Sequence, residues 1–255
     1  MRVLVFGQPK SGTTALMRSV SEALPDSVEV FEPDDLTAVD LTPDHLVVKK
    51  LFGPHDRGEG AVYDAFDQCL FIVRDPRDRF ISSLLYDAHG RIEADDPSAI
   101  APFLEMLEAK EADPLSVPLL ALHHEYWKFS GVDLFSAAAR AAQRMRAFWR
   151  NQGTQWTLVR YEDFVTGNTA ELATLLGVDT LAQPIIDGDL ARVARTRAHG
   201  DWRNWLTPAD MFVFEPFATP ILAEFGYAND WTLAEVPSID RANASDYVRK
   251  LIASR

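Results

Sequence analysis

Five short apolar runs rich in β-branched residues punctuate the chain: Val3 to Phe6, Val28 to Phe31, Leu46 to Lys49, Leu70 to Val73 and Trp156 to Val159. Each has the length of a strand, and the stretches between them carry helical spacing. Strands alternating with helices predict a parallel sheet covered on both faces, an α/β class. Helices are predicted from Thr14 to Leu24, from Pro76 to Tyr86 and near Thr169 to Leu176. From about Asp95 to Asn151 the strand rhythm stops. Ala-, Leu- and Glu-rich segments broken at Pro97, Pro102, Pro114 and Pro118 predict a helical insertion there, of the kind that forms a lid. After the last strand come a polar loop with several arginines and a terminal helical region. No internal repeat or low-complexity segment interrupts this order, so one domain, 1–255, is expected, with the insertion as a subdomain.

Composition narrows the partners. The 255 residues are 47% hydrophobic and 25% charged, which is ordinary for a globular protein with a sizeable core. The formal net charge is −13, which argues against nucleic acid or an acidic membrane as partner, since both attract basic stripes. Any anion bound must therefore be held by a local cluster of positive groups. The single cysteine, Cys69, sits in the apolar run CLFIV and reads as a core residue in a reducing compartment. The opening MRVLVFG is too short an apolar stretch for a secretory segment, and no run approaches the ~20 apolar residues of a membrane span. A cytoplasmic location is expected.

Candidate chemistry begins where the first strand ends. GQPKSGTT, residues 7 to 14, nearly matches the phosphate-binding pattern G-x-x-x-x-G-K-[ST], but Thr13 stands in the lysine position and Lys10 lies inside the loop. A glycine-rich turn leading into a helix aims backbone N–H groups and the positive end of the helix dipole at one point, which suits phosphate or sulfate. Gly12 permits close backbone approach, and the hydroxyls of Ser11, Thr13 and Thr14 can donate to anionic oxygens. ATP chemistry would want a magnesium-binding carboxylate at the end of a later apolar strand. The strand Cys69 to Val73 ends instead in Arg74, whose fork suits a second phosphate and repels a metal ion. Asp75-Pro76 reads as a helix cap, and Ser82 lies about two turns into the helix it opens.

Four segments resemble the PAPS-dependent sulfotransferases (PAPS is 3′-phosphoadenosine 5′-phosphosulfate). PKSGTT is similar to their 5′-phosphosulfate loop, FIVRDPRDRFISSLLY to their 3′-phosphate motif, LVRYEDF to their Y-E-D strand end, and ARTRAHGDWRN to the late basic segment with GDW. They occur in the family's order between about Arg2 and Tyr227. The resemblance implies a three-layer, P-loop-like α/β fold and transfer of a sulfuryl group from PAPS to a hydroxyl or amine of a small acceptor, a carbohydrate among the candidates. Adenosine 3′,5′-bisphosphate is then the product, and no metal is required. It implies Lys10, Ser11, Gly12, Thr13 and Thr14 at the 5′-phosphosulfate, and Arg74, Ser82, Tyr161, Arg195 and Arg197 at the 3′-phosphate and adenosine. Two departures stand out. Ala15 replaces the tryptophan that stacks on adenine in the cytosolic branch, and Arg195-Thr196-Arg197 replaces R-K-G, so Arg197 is assigned by charge only.

An acceptor hydroxyl also needs a base. The K-x-H histidine of the cytosolic branch is missing, because the chain reads Lys50-Leu51-Phe52. Carbohydrate-modifying branches carry a glutamate base, and some show F-E-P after the second strand. Here that is Phe31-Glu32-Pro33, which favours Glu32 and the carbohydrate-type branch. His55 and Asp56 are the reserve candidates. One of Lys49 and Lys50 is expected to add positive charge near the sulfuryl group, since alternate side chains face opposite sides of a strand. The histidines of HHEYW, residues 123 to 127, and Trp202 and Trp205 read as packing, with pocket lining the functional alternative for the first and a sugar-binding face for the tryptophans. Two other functions compete with sulfuryl transfer: a small-molecule or nucleotide kinase, and a nucleotide-binding regulatory protein without catalysis.

Overall fold

The computed structural model describes residues 1–53, 61–91, 97–184, 195–196 and 198–254. All five expected runs are strands: β1 (Arg2–Gly7), β2 (Val28–Phe31), β3 (Leu46–Leu51), β4 (Gln68–Val73) and β5 (Trp156–Arg160). They form one parallel sheet in the order β2-β3-β1-β4-β5. β1, β3 and β4 are central and largely buried, as their unbroken apolar runs require, whereas the edge strand β2 exposes Val28 and Phe31.

The chain divides into two compact units, Met1–Arg74 with Ala141–Gly188, and Asp75–Arg140 with Asp189–Arg255. The first holds the sheet between two helical layers, so the fold is the expected three-layer α/β arrangement with a central parallel sheet. On one side lie α1 (Thr13–Ala23) and α7 (Ala170–Leu176), whose Leu16, Met17, Val20, Leu172 and Leu176 pack on Val3, Val5, Val47, Leu70 and Ile72. On the other side the end of α5 (Leu134–Arg150) sets Phe148 and Trp149 among Phe6, Phe52, Phe71 and Trp156. Cys69 is buried within the sheet, and burial pushes its thiol up to about 12, so it stays protonated and inert.

The second unit is helical. It contains α2 (Pro76–Gly90), α3 (Ala101–Ala112), α4 (Leu119–Ser130), residues 134–140 of α5, α8 (Trp202–Trp205), α9 (Pro208–Glu224) and α10 (Ser245–Ala253). Its core gathers Phe80, Leu84, Phe103, Leu122, Tyr126, Trp202, Trp205 and Phe214. Both tryptophans are thus packing residues. His123 is too: it is buried, and its Nε2 accepts the Phe135 backbone N–H at 3.2 Å. Pro102 sits in the first turn of α3 and Pro118 precedes α4, the positions where proline starts a helix. No helix among the described residues is long and apolar enough to cross a membrane.

Candidate active site

In the first unit the loop after β1 is shaped by three backbone features. A Cβ on Gly7 would lie 2.5 Å from the Ile72 carbonyl oxygen, so only glycine lets β1 leave the sheet beside β4. Gly12 is left-handed, with φ 91°, and a Cβ there would lie 2.5 Å from the Tyr161 ring. Lys10 is left-handed as well, with φ 67°, although it carries a side chain. Such a backbone costs on the order of 1 kcal/mol or more for a non-glycine residue and persists only where the surroundings impose it.

α1 begins at Thr13, directly after Gly12, with no acidic residue in its first turn. Ser11, Thr13 and Thr14 are buried as residues, and their hydroxyls make no hydrogen bond among the described residues. None of the three oxygens is among the fully buried unpartnered polar atoms, so they remain open to a bound group. Hydroxyls beside a helix N-terminus suit an anion that accepts hydrogen bonds from them.

Arg74 follows the last residue of β4. It is 7% exposed, its Nη1 donates to the Lys10 carbonyl at 3.3 Å, and its guanidinium lies over the Tyr161 ring at 4.4 Å. Tyr161 opens the short helix α6 (Tyr161–Val165) after β5 and also abuts Gly12. Lys10, Gly12, Arg74 and Tyr161 are therefore brought together by the ends of three adjacent strands, β1, β4 and β5. Among the described residues no group of three His, Cys, Asp or Glu side chains is placed to hold a metal ion.

Glu32 follows β2 and is the second left-handed candidate, with φ 49°. It is tied twice to the same neighbour. Its backbone N–H donates to the Lys49 carbonyl at 2.8 Å, and Lys49 Nζ donates to its carboxylate at 2.5 Å. The Lys49 side chain is 4% exposed; burial lowers its proton affinity while the Glu32 carboxylate raises it. The Lys49 ammonium also lies 3.9 Å from the Phe31 ring centre. Lys50, on the alternate side of β3, donates to the carbonyls of Pro33 and Asp34 at 2.7 and 3.0 Å. Both lysines thus hold the segment around Glu32, and only Lys49 touches its carboxylate. His55 and Asp56 lie outside the described residues.

The remaining candidates belong to the second unit. Asp75 caps α2, accepting the Arg77 N–H at 2.9 Å and pairing with its guanidinium at 2.6 Å, a structural role as its Asp-Pro sequence predicts. Ser82 is 2% exposed, and its hydroxyl has no partner among the described residues. Arg195 places its guanidinium 3.0 Å from the Asn243 carbonyl and 3.4 Å from Asp201. Arg197 lies outside the described residues.

Sequence reasoning passed over Asp78 and Arg77, which organise this unit. Asp78 is fully buried and accepts the backbone N–H groups of Gly200 at 2.6 Å and Trp202 at 2.8 Å. Arg77 lies over the rings of Trp202 and Trp231, at 3.7 and 4.7 Å. The available signal was an acidic residue in the first turn of α2, which the helix dipole alone already explains.

No family model matches the chain, and no curated protein matches it. Among solved structures the chain is similar to a mouse sulfotransferase, SULT7A1, complexed with PAP. The two are 16% identical, the likeness covers 87% of this chain and 83% of that one, and the TM-score is 0.46. A likeness of that degree carries no argument about activity.

Proposed function

We propose that this chain is a sulfotransferase that moves a sulfuryl group from PAPS to a hydroxyl, or an amine, of a small acceptor. The observation that carries the reading is Arg74: a buried guanidinium, bonded to the Lys10 carbonyl, at the strand end where a metal-dependent kinase keeps a carboxylate. With positive charge there, two anionic groups are held without a metal. The Ser11, Thr13 and Thr14 hydroxyls with the α1 N-terminus suit the 5′-phosphosulfate, and Arg74 over Tyr161 suits the 3′-phosphate and nucleoside. Ser82, Arg195 and Arg197 are assigned to that second end by the sequence resemblance alone. Bound PAPS supplies the sulfuryl group and the phosphate that leaves.

The chain's own residues divide the rest of the work. Glu32 takes the acceptor's proton while the acceptor oxygen bonds to sulfur. Lys10 stabilises the phosphate oxygen released as the old sulfur–oxygen bond breaks. Lys49 fixes the Glu32 carboxylate in place. A glutamate in this role also favours the carbohydrate-type branch and a sugar acceptor, and the single buried cysteine favours a cytoplasmic protein.

Two measurements test the reading. Adenosine 3′,5′-bisphosphate without magnesium is expected to raise the melting temperature, and ATP with magnesium to change it little; the reverse pattern would sink it in favour of a kinase. Glu32→Gln is expected to slow single-turnover transfer by about 10²- to 10⁴-fold, the usual range for removing a general base. A near-normal rate in that variant would remove Glu32 from the role.

A further inference from the structure

One aromatic ring touches both positive elements of the first unit, the loop that opens α1 and the arginine after β4. The Arg74 guanidinium lies over the Tyr161 ring at 4.4 Å from its centre. The edge of the same ring abuts the loop, where a Cβ on Gly12 would lie 2.5 Å from Cδ2 and 2.9 Å from Cε2. A third contact, from Arg74 Nη1 to the Lys10 carbonyl at 3.3 Å, closes the triangle. Gly12, Arg74 and Tyr161 follow β1, β4 and β5, which are neighbours in the sheet. All three residues belong to the first unit.

Core filling accounts for a large buried ring here, since Tyr161 belongs to the apolar cluster with Ile72 and Val159. It does not account for a cation as the ring's neighbour. A buried guanidinium needs compensation, and a carboxylate would supply it only by cancelling the charge that an anion requires. An aromatic face stabilises the cation through the ring quadrupole and leaves its charge in place. A guanidinium on a ring also keeps its N–H groups, which lie in its own plane, for other acceptors. The arrangement holds an arginine ready for an anion.

The second contact adds a distance. A rigid ring that touches both the loop and the guanidinium fixes how far apart they stand. We propose that Tyr161 is a spacer, a positioning residue that sets the separation of the two anion-binding elements. Through that separation it selects a nucleotide phosphorylated at the 3′ and 5′ positions over one phosphorylated elsewhere on the ribose. This rests on the sulfuryl-transfer reading and deepens it by naming what sets donor specificity. The ring carries the role, because ring atoms make both contacts.

The test compares adenosine 3′,5′-bisphosphate with adenosine 2′,5′-bisphosphate, which have the same charge and differ only in the place of one phosphate. Each is titrated calorimetrically into the whole protein. The wild type is expected to bind the 3′,5′ isomer at least about tenfold more tightly, the size of one charge-assisted hydrogen bond. Tyr161→Leu is expected to weaken the 3′,5′ isomer by about five- to thirtyfold, the range for a buried cation–π contact, and the 2′,5′ isomer by less. Tyr161→Phe keeps the wild-type preference. Should the leucine variant fail to fold, Tyr161→Met takes its place, a side chain of flexible shape without a π face. Equal binding of the isomers by the wild type, a preference that survives loss of the ring, or an equal loss in Tyr161→Phe overturns the proposal. If neither isomer binds, the donor reading has failed instead, and the melting shift with inorganic phosphate decides the spacer. That shift should fall in Tyr161→Leu and persist in Tyr161→Phe; a shift equal in both overturns the spacer.

Discussion

Lys10→Ala is expected to lower sulfuryl transfer by about two to three orders of magnitude, the loss seen when one preorganised charge-stabilising group is removed. The lysine belongs to a loop whose backbone has anchors besides its side chain. Gly7 and Gly12 set the two ends, and Arg74 holds the Lys10 carbonyl rather than its ammonium. Truncation therefore removes the charge and leaves the anion cradle, so adenosine 3′,5′-bisphosphate should still raise the melting temperature. Single-turnover transfer from labelled PAPS measures the first quantity and thermal shift the second. Retention of more than a tenth of the wild-type rate would show that Lys10 does not face the breaking bond.

Asp78→Ala is expected to cost about 3–5 kcal/mol of stability, since two buried N–H groups each lose their acceptor at about 1–3 kcal/mol apiece. At roughly 2–4 °C per kcal/mol for a chain of this size, the melting temperature should fall by roughly 6–20 °C. The reason is geometric. One fully buried carboxylate holds the N–H groups of both Gly200 and Trp202, and alanine leaves both without it. Asp78→Asn keeps one oxygen acceptor in the same shape and should lose roughly half as much. A fall of less than about 3 °C in the alanine variant would mean that the 200–202 turn is held by other contacts.

These two residues differ in how visible they were in the sequence. Lys10 sits in a local pattern, a loop bounded by an apolar run and a helix, and spacing alone singles it out. The five strands were legible for the same reason, since each is a compact apolar run whose neighbours break the periodicity. Asp75 was legible because Asp-Pro is a local capping signal. Asp78 was not, because its partners lie more than 120 residues away and no local rule connects them. The same holds for Lys49 and Glu32. Their double tie depends on β2 lying beside β3, and strand order is a property of the whole sheet that a list of strands does not contain. Tyr161 is a third case, since its ring meets Gly12 and Arg74 only because β1, β4 and β5 are neighbours in the sheet.

The left-handed backbone of Lys10 and Glu32 bears on how this protein would change under relaxed selection. Glycine adopts a positive φ without steric cost, so the backbone alone would favour it at position 10. Position 32 is held from the other side: glycine there would relieve the same strain but leave the buried Lys49 ammonium without its carboxylate. A laboratory population freed from the need to turn over substrate is therefore expected to accept glycine at 10 before glycine at 32.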